Sequence, residues 1–386
     1  MSKLPSLLIL FAAEVVAMSL WFVSAAILPD LLLDQPLSSI RQALLSSGVQ
    51  AGFVVGALLS AFLGIADRFD PRRVFAICAV LAGLANLALL VLVPGSFASI
   101  TARFATGALL AGVYPVGMKI TVGWSQKDRG FLVGSLVAAL TLGSALPHFF
   151  AFTGGTDWQF TVTITSLAAM LGGLACLQTK LGPFHQKASS FNPRSIAVAW
   201  TNKKVRLAYA GYFGHMWELY GMWAWIGTAV AVSYAFHLPE AEAISLAKLT
   251  TFVLVALGGV ACIFAGKVAD RIGKAKVAAA AMALSASAAL ATALTFGGPV
   301  WLTFVCVMVW GLTVIPDSAQ FSALVADASP PELEGSLMTL QTALGFLLTF
   351  FVVQAIPVIA SNFGWPLVLA GLAIGPIFGV IAMIKH

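Results

Sequence analysis

The sequence predicts an all-α, polytopic membrane protein of twelve transmembrane helices in two related six-helix halves, and three observations carry that prediction. Of its 386 residues, 60% are hydrophobic and only 9% charged, which is more apolar surface than one soluble core encloses. The apolar stretches run to about 20 residues or longer, the length a helix needs to cross a hydrocarbon layer of ~30 Å, with little of the alternation of a β-barrel. Finally, Glu14-Val-Val-Ala-Met18-Ser-Leu-Trp21 returns as Glu218-Leu-Tyr-Gly-Met222-Trp-Ala-Trp225, so Glu, Met and Trp each recur 204 residues on.

Turn and charge signals place the spans near 6–28, 41–63, 74–93, 99–122, 131–152, 159–178, 205–235, 244–265, 277–296, 300–326, 335–360 and 365–384. Ser24-Ala25-Ala26 looks like a signal-peptide cleavage site, but this apolar region is too long and carries Glu14, so an uncleaved first helix is expected. After the second span comes Gly64-Ile-Ala-Asp67-Arg68-Phe-Asp70-Pro-Arg72-Arg73, and the fourth span holds Arg103-x-x-x-Gly107-x-x-x-x-Gly112. The fifth holds Gly143-Ser-Ala-Leu-Pro147-His148. Residues 179–204 form a basic, acid-free linker with Pro183 and Pro193, which separates a first bundle (1–178) from a second (205–386) and suits anionic lipid headgroups.

The seventh span is rich in Tyr209, Tyr212, His215, Trp217, Tyr220, Trp223 and Trp225, and His215 stands three residues before Glu218, a spacing that predicts a hydrogen-bonded pair. Between the eighth and ninth spans, Gly266-Lys-Val-Ala-Asp270-Arg271-Ile-Gly273-Lys274 echoes the earlier loop, with Asp-Arg returning after 203 residues. Two unrelated patterns at nearly one offset point to duplication of a six-helix unit. The tenth span contains the polar run Pro316-Asp317-Ser318-Ala319-Gln320, where the proline frees backbone groups. Asp317 there binds a proton or cation, or pairs with a basic residue such as Lys119.

With twelve spans, Lys3, Arg68/Arg72/Arg73, Lys127/Arg129, the linker, Lys267/Arg271/Lys274/Lys276 and Lys385 all fall on one side, which the positive-inside rule makes the cytoplasm, with both termini there. The net charge of +6 is then a matter of topology, and nucleic acid is not an expected partner. Cys78, Cys176, Cys262 and Cys306 are far apart inside predicted helices and carry neither a disulfide framework nor a metal motif. No cofactor or metal is expected.

Glu14 lies roughly 12 Å into its span at 1.5 Å per residue, near mid-depth, and Glu218 lies similarly. An acid there costs at least a few kcal/mol unless it is protonated, paired or wet. Such a carboxyl can load and release protons, hold a cationic solute as the anion, or tie a neighbouring helix by a hydrogen bond. Trp21, Tyr220 and Gln320 are candidate solute contacts, and an acid-His pair can relay a proton.

The loops Gly64 to Arg73 and Gly266 to Lys274 resemble the signature of the major facilitator superfamily, Gly-x-x-x-Asp-(Arg/Lys)-x-Gly-(Arg/Lys), the second copy closely and the first with Asp70-Pro71 in place of the turn glycine. That resemblance implies a fold in which the first and seventh helices line a shared cavity, a cytoplasmic gate built on Gly64, Asp67, Arg68, Gly266, Asp270, Arg271 and Gly273, and generally monomeric carriers. Arg103 with Gly107 and Gly112 is similar to the superfamily's helix-4 arginine motif, associated with proton coupling; the other reading is an arginine snorkelling to the surface. His215-Met-Trp-Glu-Leu-Tyr and Pro316-Asp-Ser-Ala-Gln-Phe resemble a bacterial branch described as cyanate or nitrate-nitrite permease-like, although the mid-depth acids do not suit nitrate. The expected function is secondary active transport of a small solute or ion across the bacterial inner membrane by alternating access, coupled to protons, with Glu14, Glu218, His215, Asp317, Trp21, Tyr220, Arg103, His148 and Gln320 between the halves. Proton-driven export of lipophilic or cationic compounds is the alternative. Outside transport, the alternatives are a receptor or a membrane-embedded enzyme, although metal-ligand spacings such as His-x-x-x-His are absent; the absence of a nucleotide-binding loop, redox motif or soluble ATPase domain favours proton coupling over a primary pump.

Overall fold

In the computed structural model, residues 2–63, 65–124, 129–185, 194–330 and 333–386 are described. Gly64, Lys127 and the linker stretch 186–193 lie outside them. The described chain is helical: α1 (Lys3–Asp34), α2 (Ser39–Leu63), α3 (Pro71–Leu90), α4 (Phe97–Val122), α5 (Arg129–Thr153), α6 (Trp158–Cys176), α7 (Lys203–Tyr234), α8 (Glu240–Ile272), α9 (Lys274–Thr295), α10 (Val300–Ala328), α11 (Glu334–Phe363) and α12 (Trp365–Lys385). Among the described residues eleven of these are long and apolar enough to cross a membrane. The exception is α7, 32 residues long, whose tyrosines, His215 and Glu218 dilute its apolar character. Two short helices, Ile65–Arg68 and Arg194–Thr201, complete the set. The second falls inside the segment expected to be linker.

The chain divides into two compact units, Met1–Ala188 and Ser189–His386. In the first, α2 and α4 touch backbone to backbone. A Cβ at Gly52 would lie 1.9 Å from the Phe104 carbonyl oxygen, and one at Gly107 would lie 2.0 Å from that of Val49. Gly48, Gly52 and Gly56 are spaced i, i+4, i+8 on one face, the small-residue pattern by which helices associate where no hydrophobic force separates protein from lipid. In the second unit Gly258 and Gly311 play the same part between α8 and α10.

Among the described residues four helices are interrupted, α12 only at Ala373, between Leu372 and Ile374. In α4 the helix stops at Leu110 and resumes at Tyr114; in α10 it stops at Thr313 and resumes at Ser318. These breaks stand at matching places of the duplication, each beside a proline (Pro115, Pro316) that cannot donate a backbone hydrogen bond. The third break, between Met18 and Val23 of α1, has no proline in it, and sequence reading did not foresee it.

The two repeated loops turn differently. Asp70 caps α3, its Oδ1 accepting the Arg72 backbone N–H at 2.9 Å, with Pro71 in the first turn, where a missing N–H costs nothing. Its other oxygen pairs with Arg72 Nη2 at 2.6 Å. The Arg72 guanidinium, hydrogen-bonded to Asp70, holds that carboxyl below its ordinary range. In the second copy Gly273 alone joins α8 to α9 at φ +101°, a left-handed backbone that glycine adopts without strain. Lys274 Nζ then reaches Asp327 Oδ2 at 2.5 Å, linking the start of α9 to the end of α10. Asp270 and Arg271 are exposed, as is Arg68.

Candidate functional site

In the first unit the polar residues gather around the broken α1. Glu14 sits one turn before the break and is fully buried, with no hydrogen-bond partner for either carboxyl oxygen among the described residues. A Cβ at Gly117 would lie 2.5 Å from its Oε2, so the carboxyl rests on the bare backbone of the second segment of α4, near Phe75. Arg103 is also completely buried, which overturns the reading of an arginine snorkelling to the surface. Its Nη2 donates to the carbonyls of Leu20 (2.9 Å) and Trp21 (2.8 Å), and its Nη1 donates to Asn86 Oδ1 at 2.7 Å. Asn86 Nδ2 in turn donates to Ser166 Oγ at 2.9 Å. The arginine thus supplies donors to carbonyls that the interruption of α1 left without helical partners, and fixes α1 to α3, α4 and α6. Trp21 packs on Phe53 with ring centres 4.8 Å apart, and His148 is buried on α5.

In the second unit the expected His215–Glu218 pair does not form. His215 Nδ1 lies 2.9 Å from Asp317 Oδ1, both side chains buried, which joins α7 to the break of α10. The alternative partner considered for Asp317 was Lys119; the observed one is His215. Glu218 turns elsewhere: its Oε1 accepts from Ser285 Oγ at 2.7 Å and from Trp310 Nε1 at 2.8 Å. One turn of helix brings His215 and Glu218 near in sequence, but the partners offered by α9 and α10 decide where each side chain points. Within its own half, Glu14 thus rests against Gly117, and Glu218 against Ser285 and Trp310. The His215 ring is flanked by Phe321 (5.8 Å) and Tyr212 (6.2 Å), and Tyr220 packs on Phe346 at 5.0 Å. Gln320 is buried in the first turn after the break, where its backbone N–H donates to the Asp317 carbonyl at 2.9 Å.

The structure adds residues that sequence reading missed. Asn86 is a single polar residue in an apolar run, Ser166 and Ser285 stand among other small hydroxyls (Thr161, Thr163 and Thr165; Ser287), and Trp310 lies in the apolar first segment of α10. On α11, Gln341 is 1% exposed with neither amide atom partnered among the described residues. Each could have been found by asking where a polar side chain in a membrane helix satisfies its hydrogen bonds. Chemically, the second unit presents a buried imidazole–carboxylate pair suited to holding and passing a proton, beside a carboxyl with two fixed donors.

A duplicated bundle of membrane-length helices, broken beside buried ionisable groups, defines a polytopic membrane carrier. A profile of the Major Facilitator Superfamily matches residues 9–352, and the chain belongs to that family, whose members are transporters rather than enzymes. Among solved structures, the D-xylose-proton symporter is similar over 99% of this chain and 97% of its own, with TM-score 0.77 and 14% identity. The inward-open xylose transporter XylE from E. coli gives TM-score 0.75 at 13% identity, over 98% of this chain and 94% of its own. A mutant of the nucleoside transporter NupG gives 0.71 at 15%, over 98% and 99%. At such identities the likeness is one of fold. A gallate transporter of Pseudomonas putida is 34% identical over 143 residues, a match that spans 33% of this chain and 31% of that protein.

Proposed function

We propose that the protein is a proton-coupled secondary transporter that moves a small organic solute by alternating access of its two six-helix halves, with the solute site between them. The observation that carries this reading is the buried His215–Asp317 pair at the break of α10. A pair of that kind changes charge by taking or losing one proton, and the interruption beside it gives a helix two segments able to shift relative to each other. Glu218 and Glu14 are the companion acids, Arg103 fixes the geometry of α1, and Trp21, Tyr220, His148 and Gln320 are assigned to the solute path. The basic loops support termini in the cytoplasm of a bacterial inner membrane, and the family resemblance favours a monomer as the working unit. The similarity to a D-xylose-proton symporter supports proton coupling, and that to a gallate transporter favours an aromatic acid as the solute. The permease-like phrases around His215 and Pro316 are compatible with a small-solute carrier and do not specify an inorganic anion.

The test is uptake into proteoliposomes after a pH jump, over a panel of aromatic acids, sugars, nucleosides and lipophilic cations. Wild type is expected to accumulate one class in the direction set by the proton gradient, and Asp317→Asn to reduce that accumulation at least tenfold. If Asp317→Asn leaves the pH-driven component intact, the pair is not the coupling group.

A further inference from the structure

A cavity of about 500 Å³ opens on the second unit between the end of α8, the start of α9 and the break of α10. Leu257, Phe264 and Val268 of α8, Val277 of α9, and Leu312 and Pro316 of α10 are among its lining residues, all apolar. Phe264 is 61% and Val268 45% exposed, so the groove opens on the outside of the unit rather than into its core. Along α8 it runs from Leu257 to Val268, about 16 Å at 1.5 Å per residue. One leaflet of a ~30 Å hydrocarbon layer is ~15 Å thick.

Charge continues where the apolar stripe ends. Lys267 is three residues after Phe264, and Arg271 three after Val268, so both extend the groove's own face of α8. Lys274, the next basic residue, is already held by Asp327. Lys267 and Arg271 take part in none of the ion pairs among the described residues. A channel one leaflet deep with two uncommitted cations at its mouth matches an acyl chain and an anionic headgroup, since long basic side chains reach from acyl depth to the headgroups.

We propose that this groove is a binding site for an anionic phospholipid, one acyl chain lying between α8 and α10 and the headgroup held by Lys267 and Arg271. The groove reaches the break of α10: Pro316 lines it, and the next residue, Asp317, carries the contact to His215. The bound chain therefore lies against the outer side of the interruption whose inner side holds the His215–Asp317 contact. The inference requires the chain to be in a bilayer but not that the solute or the coupling be as proposed above.

Native mass spectrometry of the purified full chain, with phosphatidylglycerol and phosphatidylcholine offered at equal concentration, tests it. Wild type is expected to retain one phosphatidylglycerol at least fivefold more than phosphatidylcholine. Lys267→Gln/Arg271→Gln, at two exposed side chains, is expected to bring the two lipids level, and lipid retention rather than transport is its readout because Arg271 also stands in the gate motif. Ala261→Phe/Ala265→Phe, which fills the groove from its wall, is expected to lose both. Equal retention of the two lipids by wild type, or undiminished retention by the filled variant, overturns the proposal. So does a filled variant that changes solute affinity while its lipid retention is unaltered, for the groove would then be a solute path.

Discussion

Arg103 carries the largest residue-scale consequence in the molecule. Its guanidinium holds two main-chain carbonyls and one side-chain carbonyl in a fork that a lysine cannot reproduce, because an ammonium is a point charge on a flexible stem. Arg103→Met strands Leu20 O and Trp21 O in the interior, at about 1–3 kcal/mol for each unsatisfied group. Thermal unfolding in detergent should show Arg103→Met as the most destabilised single variant of α4, with Arg103→Lys intermediate. Unchanged unfolding of Arg103→Met would mean that the break in α1 does not depend on it. Glu14 is the opposite kind of residue. It has no donor to lose, so what it contributes lies outside the folding energetics of its own hydrogen bonds.

At the scale of elements, the close contact of α2 and α4 makes a sharper prediction than any apolar cluster. Gly52→Ala places a methyl group 1.9 Å from a backbone oxygen, which only displacement of a whole helix relieves, so a loss of at least ~2 kcal/mol is expected. Gly134→Ala on α5 meets nothing within 4 Å and, through helix propensity alone, gains up to ~1 kcal/mol. The two variants, compared by thermal unfolding, should move in opposite directions. Helix number and the place of the α10 break were legible in the sequence, because length, hydropathy and proline are local properties. The break in α1 was not, since what compensates it is an arginine 82 residues away in sequence. The acids of the site were equally legible as costly residues in an apolar run, whereas their partners were not. His215 stands one turn from Glu218 yet pairs with Asp317, and only packing of α7 against α9 and α10 decides between them.

At the scale of the whole molecule, duplication supplied a common frame and each half then acquired its own polar chemistry. The repeated Glu and the matched breaks of α4 and α10 belong to the frame. The Arg103–Asn86–Ser166 network has no polar counterpart at the positions 204 residues on (Val307, Leu290, Ala370), and the donors to Glu218 stand where the first half has Leu81 and Thr106. The two glutamates should therefore part company when stability is measured and act together when coupling is measured. Glu218→Ala leaves the Ser285 hydroxyl and the Trp310 indole N–H unpaired in the interior, an expected loss of ~2 kcal/mol or more in thermal unfolding, while Glu14→Gln removes no partner and is expected to unfold close to wild type. In proteoliposomes Glu14→Gln and Glu218→Gln are both expected to keep solute exchange at equal internal and external concentration, which needs only alternating access. Both should lose accumulation against a gradient, which needs the proton. A variant that loses exchange and accumulation in equal proportion has damaged the solute path rather than the coupling. If both variants still accumulate solute, the duplicated carboxyls belong to the architecture of the bundle and the proton is handled by His215 and Asp317 alone.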